Sequence, residues 1–101
     1  MRTRAIVLLA SSLLAAADPA AAVVIKLGTV APEGSPWHDT LRDIAAAWQK
    51  LSNGQVTLRI YPGGVAGDET DVLRKIRFGQ FHGGAFTGYG IGHVYSQARV
   101  L

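Results

Sequence analysis

The sequence predicts an α/β fold, a βαβαβ unit built on a parallel sheet. Three observations carry that assignment. Short β-branched or alternating runs, "VVIKLGTV", "QVTLRIYP" and "FHGGAFT", recur along the chain. Two stretches with apolar residues at helical spacing lie between them, and each ends in a stop signal. Connections of that length join parallel neighbours through right-handed crossovers, whereas antiparallel neighbours need only a hairpin.

The first segment stands apart from this pattern. Met1-Arg2-Thr3-Arg4 is a basic start, Ala5 to Ala17 is an apolar run, and Ala20-Ala21-Ala22 supplies the small residues that signal peptidase accepts. The run is too short to cross about 30 Å of hydrocarbon, and Asp18-Pro19 closes it. Residues 1–22 are therefore expected to be a signal peptide helix, cleaved after Ala22, with residues 23–101 as the mature domain. Cleavage would remove Arg2, Arg4 and Asp18 and leave eight basic against six acidic side chains, a net charge of +2. That charge is too small to imply a nucleic-acid partner. With no cysteine the chain has neither structural disulfides nor a lipid-modifiable thiol, which fits a soluble secreted or periplasmic protein.

The strand "VVIKLGTV" starts at Val23 and ends at Thr29 or Val30. Ser35 then serves as N-cap with Pro36 at the first helical position, Asp39 follows in the first turns, Lys50 lies near the end, and Asn53-Gly54 stops the helix. Trp37, Leu41, Ile44, Trp48 and Leu51 step by four, three, four and three, so they form one stripe and are assigned to the core. Val56, Leu58 and Ile60 alternate with Thr57, Arg59 and Tyr61 in a second strand, which Pro62 ends. Asp68 caps a second helix with Asp71 three residues on, Val72, Leu73 and Ile76 inward, and Gly79 past its end. A third strand is expected over Phe81 to Thr87.

In a parallel sheet the segments after each strand emerge at one edge, where ligands bind. Here they are Val30 to His38, Pro62 to Glu69 and Thr87 to Gly92, the parts richest in glycine and proline. A phosphate cradle at the turn "PGGVAG" is disfavoured, because Gly67 is followed by Asp68 and Glu69 where a P-loop needs lysine and a hydroxyl; the turn is read as accepting from hydroxyls of a polar ligand or as a plain corner. "GYGIG" follows the third strand, not the first, and lacks the dinucleotide spacing. His38, His82 and His93 show no metal-ligand spacing and are read as loop or surface residues, so neither metal nor cofactor is expected. No G-x-S-x-G elbow occurs, Ser35 is used as a cap, and Ser52 and Ser96 have no chemistry beside them, so no catalytic residue is assigned. Arg74, Lys75 and Arg77 read as the solvated face of the second helix. Trp37 lies next to the rim and is a candidate aromatic wall as well as a core residue.

Three stretches go beyond fold class. They are "GTVAPEGSPW" from Gly28 to Trp37, "VTLRIYPGGVAGDE" from Val56 to Glu69, and "RKIRFGQ" from Arg74 to Gln80. Together they resemble the start of the DctP-type substrate-binding proteins of TRAP transporters, over nearly the whole of residues 23–101. The resemblance implies part of the N-terminal lobe of a periplasmic-binding-protein fold, whose two lobes close on a small organic acid: a dicarboxylate, a keto acid, a sugar acid or an aromatic acid. It implies delivery of that acid to TRAP membrane permease subunits driven by an ion gradient, with no catalysis. The rim residues it implies are Ser35, Trp37, His38, Gly67, Asp68, Thr87, Gly88 and Tyr89.

The family's carboxylate-clamping arginine belongs to the second lobe, beyond Leu101, and no arginine here is placed on the rim by its position in the sequence. The chain is accordingly read as a truncated N-terminal lobe, ending abruptly in "SQARVL". Two other classes stay open. One is the binding protein of an ATP-driven (ABC-type) importer, told apart by its gene neighbours. The other is a small exported enzyme with Asp68 and Glu69 as acid and base, disfavoured because adjacent carboxylates at a helix start look alike and solvated.

Overall fold

The computed structural model describes residues 22–97. The expected leader, apart from Ala22, and the terminal segment with Arg99 lie outside the described residues. The elements are β1 (Val23–Thr29), α1 (Pro36–Leu51), β2 (Val56–Tyr61), α2 (Glu69–Arg77), β3 (Gly83–Ala85) and α3 (Gly88–Ile91). The sheet is parallel with order β2-β1-β3. Val23 to Gly28 pair with Val56 to Tyr61, and Leu27 to Thr29 pair with Gly83 to Ala85. The chain crosses one way from β1 to β2 and back the other way from β2 past β1 to β3, and right-handed crossovers in opposite directions set α1 and α2 on opposite faces. Accordingly α1 packs on β2, while α2 packs on β1 and β3.

Both helices begin where the cap residues dictate. The Ser35 hydroxyl accepts from the His38 amide, and Asp68 and Asp71 form a reciprocal capping box. α1 ends at a left-handed pair, Asn53 and Gly54, and the Gly54 amide donates to the Gln49 carbonyl at 2.8 Å.

The core lies over the strand ends: Ala31, Leu41, Leu58, Ala66 and Val72 are its buried apolar residues. Val72, 1% exposed, sits against the one backbone position in β1 without a side chain, because a Cβ on Gly28 would stand 2.8 Å from a Val72 methyl. Lys75 reinforces that corner. Its ammonium donates to the Ala66 carbonyl at 2.6 Å and lies 5.8 Å from the Phe81 ring, which itself packs on Tyr61.

Three expectations need correction. The α1 stripe is not a core face: only Leu41 is buried, while Trp37 and Trp48 are 38% and 39% exposed and Leu51 is 82% exposed. Two helices over three strands bury one turn of α1 and leave the rest of the stripe on the surface. The third strand is shorter than Phe81 to Thr87, because Thr87 leaves the ladder to cap α3. Lys75 does not belong to the solvated face of α2 with Arg74 and Arg77, since it is half-buried and bonded inward.

Candidate functional site

The carboxyl ends of β1, β2 and β3 lie at one edge, and a hydrogen-bonded hub ties the three following segments together. Thr29, 2% exposed, is that hub. Its hydroxyl donates to the Ala85 carbonyl at 3.0 Å and accepts from the Ala31 amide at 3.2 Å. Its carbonyl accepts from Gly64, while Gly63 donates to Ala31 at 2.7 Å. The side-chain bond joins β1 to β3 at the point where the strand order reverses. This is the crevice in which open α/β sheets bind ligands.

The segment after β1 is held by its own turn. Ser35 caps α1, and the His38 Nδ1 accepts from the Gly34 amide at 3.0 Å. His38 is thus a helix residue 6% exposed, not the loop or surface residue that its isolation in the sequence implied. Trp37 stands exposed beside it.

The turn after β2 is a corner that needs glycine. Gly63, Gly64 and Gly67 have φ of 65°, 77° and 102°, and a Cβ on Gly67 would meet Asp71 at 2.5 Å. It leads into Asp68, whose Oδ1 accepts from the Thr70 hydroxyl at 2.7 Å and from the Asp71 amide at 2.9 Å. These bonds, the Thr70 hydroxyl first, hold the Asp68 carboxyl below the usual aspartate range. A depressed folded-state pKa means that the unfolded chain takes up the proton first. Asp68 therefore contributes stability above its unfolded pKa and loses it as pH falls through the folded value. Stability measured by urea melting should decline below about pH 4, and Asp68→Asn should flatten that part of the pH profile while keeping the cap.

The third segment is anchored by a residue the sequence did not single out as structural. Glu69, the first residue of α2, is 5% exposed. Its Oε1 accepts from the Thr87 amide at 2.8 Å and its Oε2 from the Thr87 hydroxyl at 2.9 Å. Thr87 in turn caps α3 by accepting from the Tyr89 amide. Gly90 lies directly against the carboxylate, where a Cβ would collide with Glu69 Oε2. Asp68 and Glu69 are therefore unlike: one is a solvated cap and the other a buried brace. The expectation that the two look alike and solvated, which disfavoured the enzyme reading, needs correction: their environments differ, and both Glu69 oxygens are taken by Thr87. The cue in the sequence was the capping box, which uses Asp68 and Asp71 and leaves Glu69 aimed elsewhere.

Of the eight rim residues implied by the resemblance, Ser35, Trp37 and His38 open α1, Gly67 and Asp68 open α2, and Thr87, Gly88 and Tyr89 open α3. The hub at Thr29 and the Glu69–Thr87 bonds connect the three groups. Three helix N-termini follow the three strand ends, but that of α2 already carries three carboxylates, Asp68, Glu69 and Asp71. Exposed Trp37 and Tyr89 offer aromatic faces, and Asp68 offers acceptors for hydroxyls. A larger open hollow of about 540 Å³ runs between α1 and the outer edge of β2, with Glu33, His38, Arg42 and Arg59 among its walls. It lies on the far side of β1 from the β1–β3 crevice.

Comparison with known proteins agrees with this geometry. The bacterial extracellular solute-binding protein family 7, DctP, matches residues 27–101. Over 68 residues the chain is 31% identical to the sialic acid-binding periplasmic protein SiaP of Vibrio cholerae, covering 67% of this chain and 21% of that protein. A TRAP periplasmic solute binding protein from Pseudomonas putida F1, solved with bound D-glucuronate, aligns at 27% identity and TM-score 0.55 over 58% of this chain and 19% of its own. The sugar acid binding protein DctPAm from Advenella mimigardefordensis, in complex with galactonate, shares the fold at TM-score 0.73 and 18% identity, over 79% of this chain and 26% of its own. The chain spans about a fifth to a quarter of the length of these relatives. A family match that begins within β1 and takes in all three rim segments identifies the chain as a member of solute-binding protein family 7, the DctP family.

Proposed function

We propose that residues 23–101 are part of the N-terminal lobe of an extracytoplasmic solute receptor, and that the rim is one wall of its site for a small organic acid. The observation that carries this reading is the convergence of three strand ends at the Thr29 hub, in a chain whose family consists of solute-binding proteins. The solute class is supported by the relatives named above, whose names give sialic acid, D-glucuronate and galactonate as their ligands. All three are polyhydroxylated acids, so among the small organic acids left open by the resemblance a sugar acid is favoured over a dicarboxylate. Exposed Trp37 and Tyr89 suit the apolar face of a sugar, and Asp68 suits its hydroxyls.

The rim segments carry no arginine, so the carboxylate is held by a second lobe. Delivery is to the membrane permease of a TRAP transporter. The location is periplasmic, after removal of residues 1–22. No residue is assigned a catalytic role.

Calorimetry of the full chain with D-glucuronate, galactonate, succinate and glucose tests the proposal. Millimolar binding of the two sugar acids, weaker binding of succinate and none of glucose is expected, because one wall of a two-walled site supplies only part of the contacts. Micromolar or tighter binding by this chain alone would contradict the two-lobed reading, and equal heats for glucose and glucuronate would contradict an acid site.

A further inference from the structure

A second hollow, away from the rim, lies between the outer side of α2 and the turn after α3. It measures about 230 Å³ and is walled by Thr70, Leu73, Arg74, Arg77 and His93. Thr70, Arg74 and Arg77 are spaced by four and three, so they share one side of α2, and the hollow faces that side. Two guanidinium groups and an imidazole therefore line one small space, beside a Thr70 hydroxyl whose proton is already given to Asp68 Oδ1. Arg77 forms no hydrogen bond or ion pair with any described residue. Arg74 uses one of its five donors, in a 3.3 Å contact with Asp71 at the exposed surface. Two carboxylates stand beside the hollow: Asp71, whose Oδ2 is engaged by the Asp68 amide in the capping box, and Asp68, whose Oδ1 holds the Thr70 hydroxyl. Among the described residues Arg74 pairs with Asp71 alone and Arg77 with neither carboxylate.

The volume lies below the roughly 300–1,000 Å³ typical of pockets for larger ligands. It suits a single small oxyanion, to which two arginine forks can present several donors at once. We propose that this hollow is an anion-binding site, separate from the rim, for one ion of phosphate or carboxylate chemistry. The "RKIR" stretch then divides its work. Lys75 braces the corner under the rim, whereas Arg74 and Arg77 face the ion. His93 packs edge-on against Tyr89, with ring centroids 4.9 Å apart, so an ion beside His93 also perturbs a rim residue.

The test is an NMR titration of the full chain with sodium phosphate, and separately with sodium acetate, replacing chloride at constant ionic strength. Saturable shifts at the Arg74 and Arg77 guanidinium signals and the His93 ring, with a smaller shift at Tyr89, are the expected result for phosphate. Saturation by acetate at the same residues would add carboxylates to the ligand class, and failure to saturate would restrict the class to tetrahedral ions. Arg77→Gln should weaken phosphate binding by about tenfold and Arg77→Lys by less, because lysine keeps the charge but loses the fork. Circular dichroism of both variants checks that α2 remains folded. Linear, unsaturated shifts of equal size at Arg42, Arg59 and Arg77 would overturn the proposal, as would unchanged phosphate affinity in folded Arg77→Gln.

Discussion

Replacing Glu69 by alanine should cost roughly 2–3 kcal/mol of stability and release α3 from α2, the largest effect expected of any single substitution at the rim. Both carboxylate oxygens are used, one by the Thr87 amide and one by the Thr87 hydroxyl, in a site 5% exposed. Alanine would strand the amide and leave an empty space against Gly90. Glutamine keeps one acceptor for the amide, and its NH₂ can donate to the Thr87 hydroxyl if that hydroxyl turns. Its loss should therefore be about half as large. Urea denaturation measures both losses. Amide exchange at Thr87 and Tyr89 shows whether the opening is local: faster exchange there with an unchanged α1 is the expected pattern.

The second large effect concerns the contact between β1 and α2. Gly28→Ala should destabilise by about 1–3 kcal/mol through overpacking, since its Cβ would meet Val72 methyls at 2.8 and 3.2 Å and Ala66 at 3.3 Å. Val72→Ala alone should cost roughly 2 kcal/mol, because it removes two buried methyl groups and leaves a cavity. In the double variant the added and removed volumes offset each other. The two losses should fall short of additivity by about 1 kcal/mol or more, which a double-mutant cycle in urea reads directly. Strict additivity would mean that Gly28 and Val72 do not share this space.

The order of strands and helices was legible because each boundary has a local chemical cause. Ser35-Pro36, Asp68 with Asp71, Asn53-Gly54 and Gly79 act on their own backbone within a turn, and all appear in the structure where the sequence puts them. The parallel sheet followed from the lengths of the crossovers, and the shared rim followed from the parallel sheet. Residues whose roles depend on distant partners were not legible. Nothing within a few positions of Glu69 tells that it reaches Thr87, eighteen residues away, and nothing near Thr29 tells that it bonds Ala85 across the sheet. The α1 stripe shows the converse error. Periodicity marks a face that can be covered, but whether it is covered depends on what packs there, and in the described residues only Leu41 is. The rim residues themselves were reached through family motifs and sheet topology, not through any charged or nucleophilic signature.

NMR mapping of D-glucuronate on the full chain tests the central claim most directly, because it asks where the solute touches and not merely whether it binds. The account predicts shifts concentrated in Val30 to His38, Pro62 to Glu69 and Thr87 to Gly92, with Trp37 and Tyr89 among the largest. Shifts confined to the hollow between α1 and β2, or spread over the outer face of α2 with the rim unmoved, would contradict it.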